Sequence, residues 1–159
     1  MALIENLMKT ELVIARPKET IRQVSSLMDQ NGVGAVLVVE GEGGDATLRG
    51  LFSERDLLHR VVAAGLDPDS TSVDSVMTKE PITVEPGTHI RKCAELIREQ
   101  GFRHLPVVQG GTPVGILSAR DFQQYVVVEL EAFIDQARYR EALDEGRDPY
   151  DHFGGSYSK

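Results

Sequence analysis

Apolar positions along this chain follow two rhythms, and each rhythm occurs twice. At helical spacing stand Ile21, Val24 and Met28, and again Ile90, Cys93, Ala94 and Ile97; a glycine, Gly32 or Gly101, closes each run. Short β-rich runs flank these stripes. Leu12 to Ala15 precedes the first, and Val36 to Glu40 with Leu48 to Phe52 follows it as a hairpin. Ile82 to Val84 precedes the second, followed by Leu105 to Gln109 with Val114 to Leu117. A further helix is predicted directly after Ser53 and again after Ser118. The order β-α-β-β-α therefore appears twice. It predicts an α/β (α+β) fold in which two copies pack through their sheets, because neither copy is long enough to bury its sheet alone.

Alignment of the copies holds along the whole unit: Pro17 falls under Pro86, Ile21 under Ile90 and Gly32 under Gly101. The hairpin loops differ, EGEGGDATLRG being four residues longer than QGGTPVG, and a surface turn tolerates such an insertion. The predicted organisation is a first repeat over 8–66, a linker over 67–79, a second repeat over 80–130 and a helical extension with a polar tail over 131–159. Within the linker, Val73 to Met77 suits a short helix. Beyond Asp121, an apolar stripe of Val126, Val127, Leu130, Phe133, Ile134 and Ala137 predicts a long helix, which packs either on its own domain or on a partner subunit. The closing DEGRDPYDHFGGSYSK is polar and glycine-rich, the composition of a loosely held tail.

Composition narrows the function. With 159 residues and 41% apolar content the chain suits a globular protein with one sizeable core or two small ones pressed together. Apolar runs such as AVLVV are too short to cross a bilayer, and MALIENLMKTE lacks the basic-then-apolar order of a signal peptide, so a cytoplasmic location is expected. The formal net charge of -8 opposes binding to nucleic acid or an anionic membrane, so any phosphate site must be a local basic pocket. His59, His89, His104 and His152 show no metal-ligand spacing, DPDSTS lacks the glycine and glutamate of a calcium loop, and GEGGD reads as a hairpin turn rather than a phosphate loop. Cys93 reads as a buried thiol. No set of residues at catalytic spacing is present in the sequence, and no enzyme activity is expected.

One seven-residue phrase is written twice: GLFSERD over 50–56 and GILSARD over 115–121. Ser-x-x-Asp ahead of an apolar helix is a capping box, in which the Ser oxygen accepts from a free helix N–H and the Asp reaches back. The same arrangement at the C-terminal edge of a strand also suits a nucleotide. Free helix N–H groups favour anions, and a carboxylate there can accept both hydroxyls of a ribose. Capping alone and capping with ligand binding both remain open at this level.

The repeated phrases, with GFRHLPVV and TVEPGTHI, resemble a tandem pair of CBS domains, named for cystathionine β-synthase, over about residues 10 to 130. The resemblance implies two pseudo-symmetric clefts that bind adenosine-bearing ligands, such as AMP, ADP, ATP, NAD or S-adenosylmethionine, as effectors rather than catalytic cofactors. It also implies a homodimer forming a disc of four repeats, and regulation of a partner protein. By family geometry each cleft joins the Ser-x-x-Asp of one repeat to the first two strands of the other. Cleft one would take Ser53 and Asp56, with Ile82, Thr83, Arg103, His104 and Arg120 opposite: Asp56 for ribose, Thr83 for the base, and Arg103, His104 and Arg120 for phosphate. Cleft two would take Ser118 and Asp121, with Val13, Ile14, Gly34 and Ala35 opposite and Arg55 as its main cation. Because Ile14 stands where the other repeat has Thr83, and Gly34-Ala35 where it has Arg103-His104, cleft two keeps the ribose clamp and loses most phosphate partners. The alternative is a ligand-free interaction module acting through the C-terminal helix.

Overall fold

The computed structural model describes residues 2–146. The chain divides after Asp121 into two compact units. The first holds the first repeat and the second repeat as far as Asp121.

In the first repeat, strand β1 (Ile14–Ala15) leads to helix α1 (Ile21–Asn31), followed by β2 (Ala35–Glu40) and β3 (Thr47–Ser53). Thr20 and Gln23 form a reciprocal capping box at the start of α1, and Gly32, at φ 61°, ends it in the left-handed conformation that glycine adopts without steric cost. Ile21, Val24 and Met28 recur along one face, and all three are buried against Val36, Val38, Phe52 and Val61. The next helix, α2 (Glu54–Asp56), widens into π-helical turns over Leu57–Val62. Helix α3 (Val73–Val76) and strand β4 (Thr78–Lys79) follow. The second repeat runs through α4 (Ile90–Gln100), β5 (His104–Gln109) and β6 (Thr112–Ser118), and α5 (Ala119–Asp144) follows at once.

Two sheets result. One has the order β1-β2-β3-β4, with β1 parallel to β2 and the other pairs antiparallel; the second pairs β5 with β6. Each hairpin carries a register shift at the matching place, between Val38 and Val39 and between Val107 and Val108. Ala35, Leu37, Val39 and Leu51 form a cluster on the face of the first sheet opposite α1, and Ile116 of β6 packs against it. The sheets therefore meet through their hairpins, as the repeat pattern predicts.

The two repeats also exchange segments. Ile4 is fully buried, and its N–H donates to Thr88 O (2.9 Å) while Ile90 N–H donates to Ala2 O (3.2 Å). The same bonds recur in the first repeat, where Val73 N–H donates to Glu19 O (2.9 Å) and Ile21 N–H to Thr71 O (2.9 Å). The stretch ahead of each repeat thus closes the other repeat. Residues 67–79, read from the sequence as a linker, supply α3 and β4 to the first repeat's structure.

Two features depart from the sequence reading. Strand β1 spans Ile14–Ala15 rather than beginning at Leu12, and Ile82 to Val84 contributes a single parallel bridge, Val84 to Val107, in place of a strand. Both stretches are chain crossing between repeats, so only their ends reach a sheet edge. Helix α5 passes unbroken through residue 130, the long helix that the apolar stripe predicts. Residues 147–159 of the polar tail, His152 included, lie outside the described residues.

Candidate functional site

The glycines of the repeated phrase are fixed by packing. A Cβ at Gly50 would stand 2.5 Å from Met77 Sδ and 2.7 Å from the Thr78 carbonyl oxygen, and one at Gly115 would stand 2.9 Å from Met8 Cγ. Met8 and Met77 occupy matching positions ahead of the two repeats. Each lies over the glycine of the other repeat's hairpin, which brings the residue after it to the Ser-x-x-Asp box.

Both boxes cap their helices. Ser53 Oγ accepts from Asp56 N–H (3.3 Å), and Asp56 Oδ2 accepts from Ser53 N–H (3.0 Å) and Ser53 Oγ (3.1 Å). Ser118 Oγ accepts from Asp121 N–H (3.0 Å), and Asp121 Oδ2 accepts from Ser118 Oγ (2.6 Å) and Ser118 N–H (3.4 Å). Their second partners differ. Thr78 Oγ1 lies 3.4 Å from each oxygen of Asp56, and Arg60 Nε lies 3.5 Å from its Oδ1. Arg60 is itself tied to the carbonyls of Val76 (3.2 Å) and Met77 (2.8 Å). At the matching place Lys9 Nζ lies 3.3 Å from Asp121 Oδ1. Burial by itself would raise the Asp121 pKa; the bond from Ser118 and the Lys9 ammonium outweigh it and hold the carboxyl below the usual range.

From these boxes the crossing segments build the opposite walls. After Thr78 the chain passes through Ile82 and Thr83, both exposed, and reaches Val84, whose N–H donates to Pro106 O (3.1 Å) beside β5. After Lys9 it passes to Val13, whose carbonyl accepts from Leu37 N–H (3.2 Å), and to the exposed Ile14 beside β2. Each crossing segment therefore joins the carboxylate of one repeat to the first strands of the other.

Of the residues expected in cleft one, Arg103 exposes its side chain while its carbonyl accepts from Ala119 N–H (2.7 Å). Half-buried His104 feels Glu54 and Asp56 of the first repeat together with Arg103 and Asp121 of its own. Burial chiefly lowers its pKa and Arg103 adds to that, against the pull of the three carboxylates, so the ring favours its neutral form. Arg120 and Arg55 are exposed in the first turns of α5 and α2. Of the residues expected in cleft two, Gly34 accepts through its carbonyl from Glu54 N–H (3.0 Å), a Cβ on Gly34 would stand 3.3 Å from Glu54 Oε1, and Ala35 is buried. Sequence reasoning passed over Lys9, Thr78, Arg60 and Glu54. The first two were readable by extending the repeat alignment backward to LMK and VMT.

The model of the CBS domain matches this chain twice, over residues 4–63 and 73–128. The chain belongs to the CBS domain family. It is 32% identical over 121 residues to YhcV, a CBS domain-containing protein of Bacillus subtilis, covering 76% of this chain and 83% of that one. An uncharacterized conserved protein of Pyrococcus horikoshii superposes with a TM-score of 0.71 at 26% identity, over 79% of this chain and 92% of its own. A CBS-domain protein of Burkholderia ambifaria assigned to signal transduction does so with a TM-score of 0.68 at 31% identity, over 75% of this chain and 85% of its own. CBS domain pairs of this kind are generally regulatory modules. Among the described residues no three His, Cys, Asp or Glu side chains gather as metal ligands, and no helix is long and apolar enough to cross a membrane.

Proposed function

We propose that the chain is a cytoplasmic, non-catalytic sensor that binds an adenosine-bearing ligand (AMP, ADP, ATP, NAD or S-adenosylmethionine) between its CBS repeats and so alters the activity of a partner protein. The supporting observation is the placement of each Ser-x-x-Asp carboxylate beside a segment crossing to the other repeat, with His104 among carboxylates from both. A ribose diol donates to the carboxylate, and Arg103, His104 and Arg120 attract phosphate in cleft one. Binding across the crossing segments favours one relative setting of the repeats, and this difference in affinity between settings is what a partner reads. The working form is a homodimer, a disc of four repeats. The chain's negative charge keeps nucleic acid and anionic membranes away.

Calorimetry on the parent and on Asp56→Asn tests the reading. Hydrogen bonds to a charged partner contribute about 1.5 to 3 kcal/mol, so the variant should bind roughly ten- to a hundredfold more weakly while remaining folded. A folded Asp56→Asn protein that binds as well as the parent assigns Asp56 to capping alone.

One observation favours the alternative, an interaction module without a metabolite. Val126, Val127, Leu130 and Phe133 on α5 are 44% to 68% exposed. Glu129 and Glu131 precede Arg138 and Arg140 along the same helix, an order that brings acid against base when two copies of α5 pair antiparallel. On this reading the partner is a second copy of the chain.

A further inference from the structure

The two carboxylates are held differently, and the difference lies in the residue after the methionine that covers each hairpin glycine. In the first repeat Asp56 is 8% exposed, and its neighbours are the uncharged Thr78 and an Arg60 already committed to two backbone carbonyls. In the second, Asp121 keeps Oδ2 for Ser118, and its Oδ1 meets Lys9. Position 125, which matches Arg60, is tyrosine, so no arginine on that helix serves Asp121 as Arg60 serves Asp56. Lys9 is fixed at its backbone, donating to Ile116 O (2.9 Å) and accepting from Ile116 N–H (3.0 Å), while its side chain is 64% exposed. The anchor is rigid and the ammonium is free to turn.

A diol that donates to Asp121 takes the oxygen now facing Lys9. The displaced ammonium then seeks another anion within reach of its four-carbon arm, and charge-assisted bonds are the strong ones. A ligand carrying both a diol and a phosphate satisfies both groups at once. We infer that Lys9 is the anion-binding cation of cleft two, so that this cleft selects phosphorylated nucleosides over the bare nucleoside. The inference rests on the nucleotide reading above and deepens it. It replaces the assignment of Arg55 as that cleft's main cation and restores a phosphate partner to a cleft that lacks the counterparts of Arg103 and His104.

The test uses AMP and adenosine as probes on the full chain by calorimetry. Each chain is measured with Asp56 intact and with Asp56→Asn, which weakens the other cleft roughly ten- to a hundredfold so that the Asp121 cleft dominates the signal. Lys9→Met should weaken AMP binding tenfold or more and leave adenosine within about twofold, and Lys9→Arg should restore AMP. Equal loss of both probes marks Lys9 as a structural residue, and an unchanged or improved ratio of AMP to adenosine binding removes it from recognition; each overturns the inference. If the chain with Asp56 intact binds both probes while Lys9→Met leaves their ratio alone, only the role of Lys9 falls. If it binds neither, the nucleotide reading falls first.

Discussion

Asp56 and Asp121 share one sequence phrase and one capping geometry, yet they meet different charges. That cap was legible from Ser-x-x-Asp spacing alone, whereas the second partners, Thr78 and Lys9, come from the far side of the fold, where spacing within one repeat carries no information. The same logic explains the glycines. Gly50→Ala forces its methyl against both Met77 and a backbone carbonyl, while the nearest atoms to a methyl at Gly115 belong to the Met8 side chain, whose outer atoms can turn aside. Urea unfolding should therefore show Gly50→Ala losing about 1 to 3 kcal/mol and Gly115→Ala losing less, with Met8→Ala relieving the second variant alone. Equal losses would mean that methionine packing does not select these glycines. His104 supplies a pH signature. Its folded pKa lies below that of the unfolded chain, so the unfolded state takes up more protons. The stability it contributes is complete above about pH 6.5 and is lost as pH falls through its lowered value. The parent should thus lose more stability between about pH 7 and pH 5 than His104→Gln, as read from denaturant midpoints.

Among elements, those with strong periodicity were readable and those that cross between repeats were not. Helices α1 and α4 declare themselves through apolar spacing and a terminal glycine, and the hairpins through paired β-rich runs. The N-terminal stretch carries neither rhythm. Even so, Ile4 is fully buried beside the start of α4, a long-range placement that no local pattern encodes. Ile4→Ala should cost about 2 to 5 kcal/mol by chemical denaturation, and a loss below that range would show the segment to be dispensable. Helix α5 was predicted from its stripe, and its apolar side chains are exposed. If two copies pair through it, Phe133→Glu should shift sedimentation toward the monomer and Arg138→Glu should do the same by placing acid against Glu131. Self-association unaffected by either change would assign the dimer to the repeats.

In the whole molecule, the crossing segments make the two repeats one unit. Each carboxylate, each glycine-methionine contact and each cleft wall depends on both copies, so a ligand bridging them should stabilise the entire first unit. The repeat, the fold class and the two carboxylates were visible in the sequence because duplication writes them twice. The difference between the two carboxylates' surroundings was visible only in part: the change from Arg103-His104 to Gly34-Ala35 shows in the alignment, whereas the approach of Lys9 to Asp121 depends on which repeat its segment joins. The most direct test of the central claim is a thermal-melt screen of the purified chain against AMP, ADP, ATP, NAD, S-adenosylmethionine and GMP. A ligand at a hundred times its dissociation constant adds about 2.7 kcal/mol, which for a unit of this size raises the midpoint by roughly 5 to 10 °C. At least one adenosyl compound should give such a rise and GMP none; an unmoved midpoint across the panel would mean that the repeats hold no adenosyl ligand.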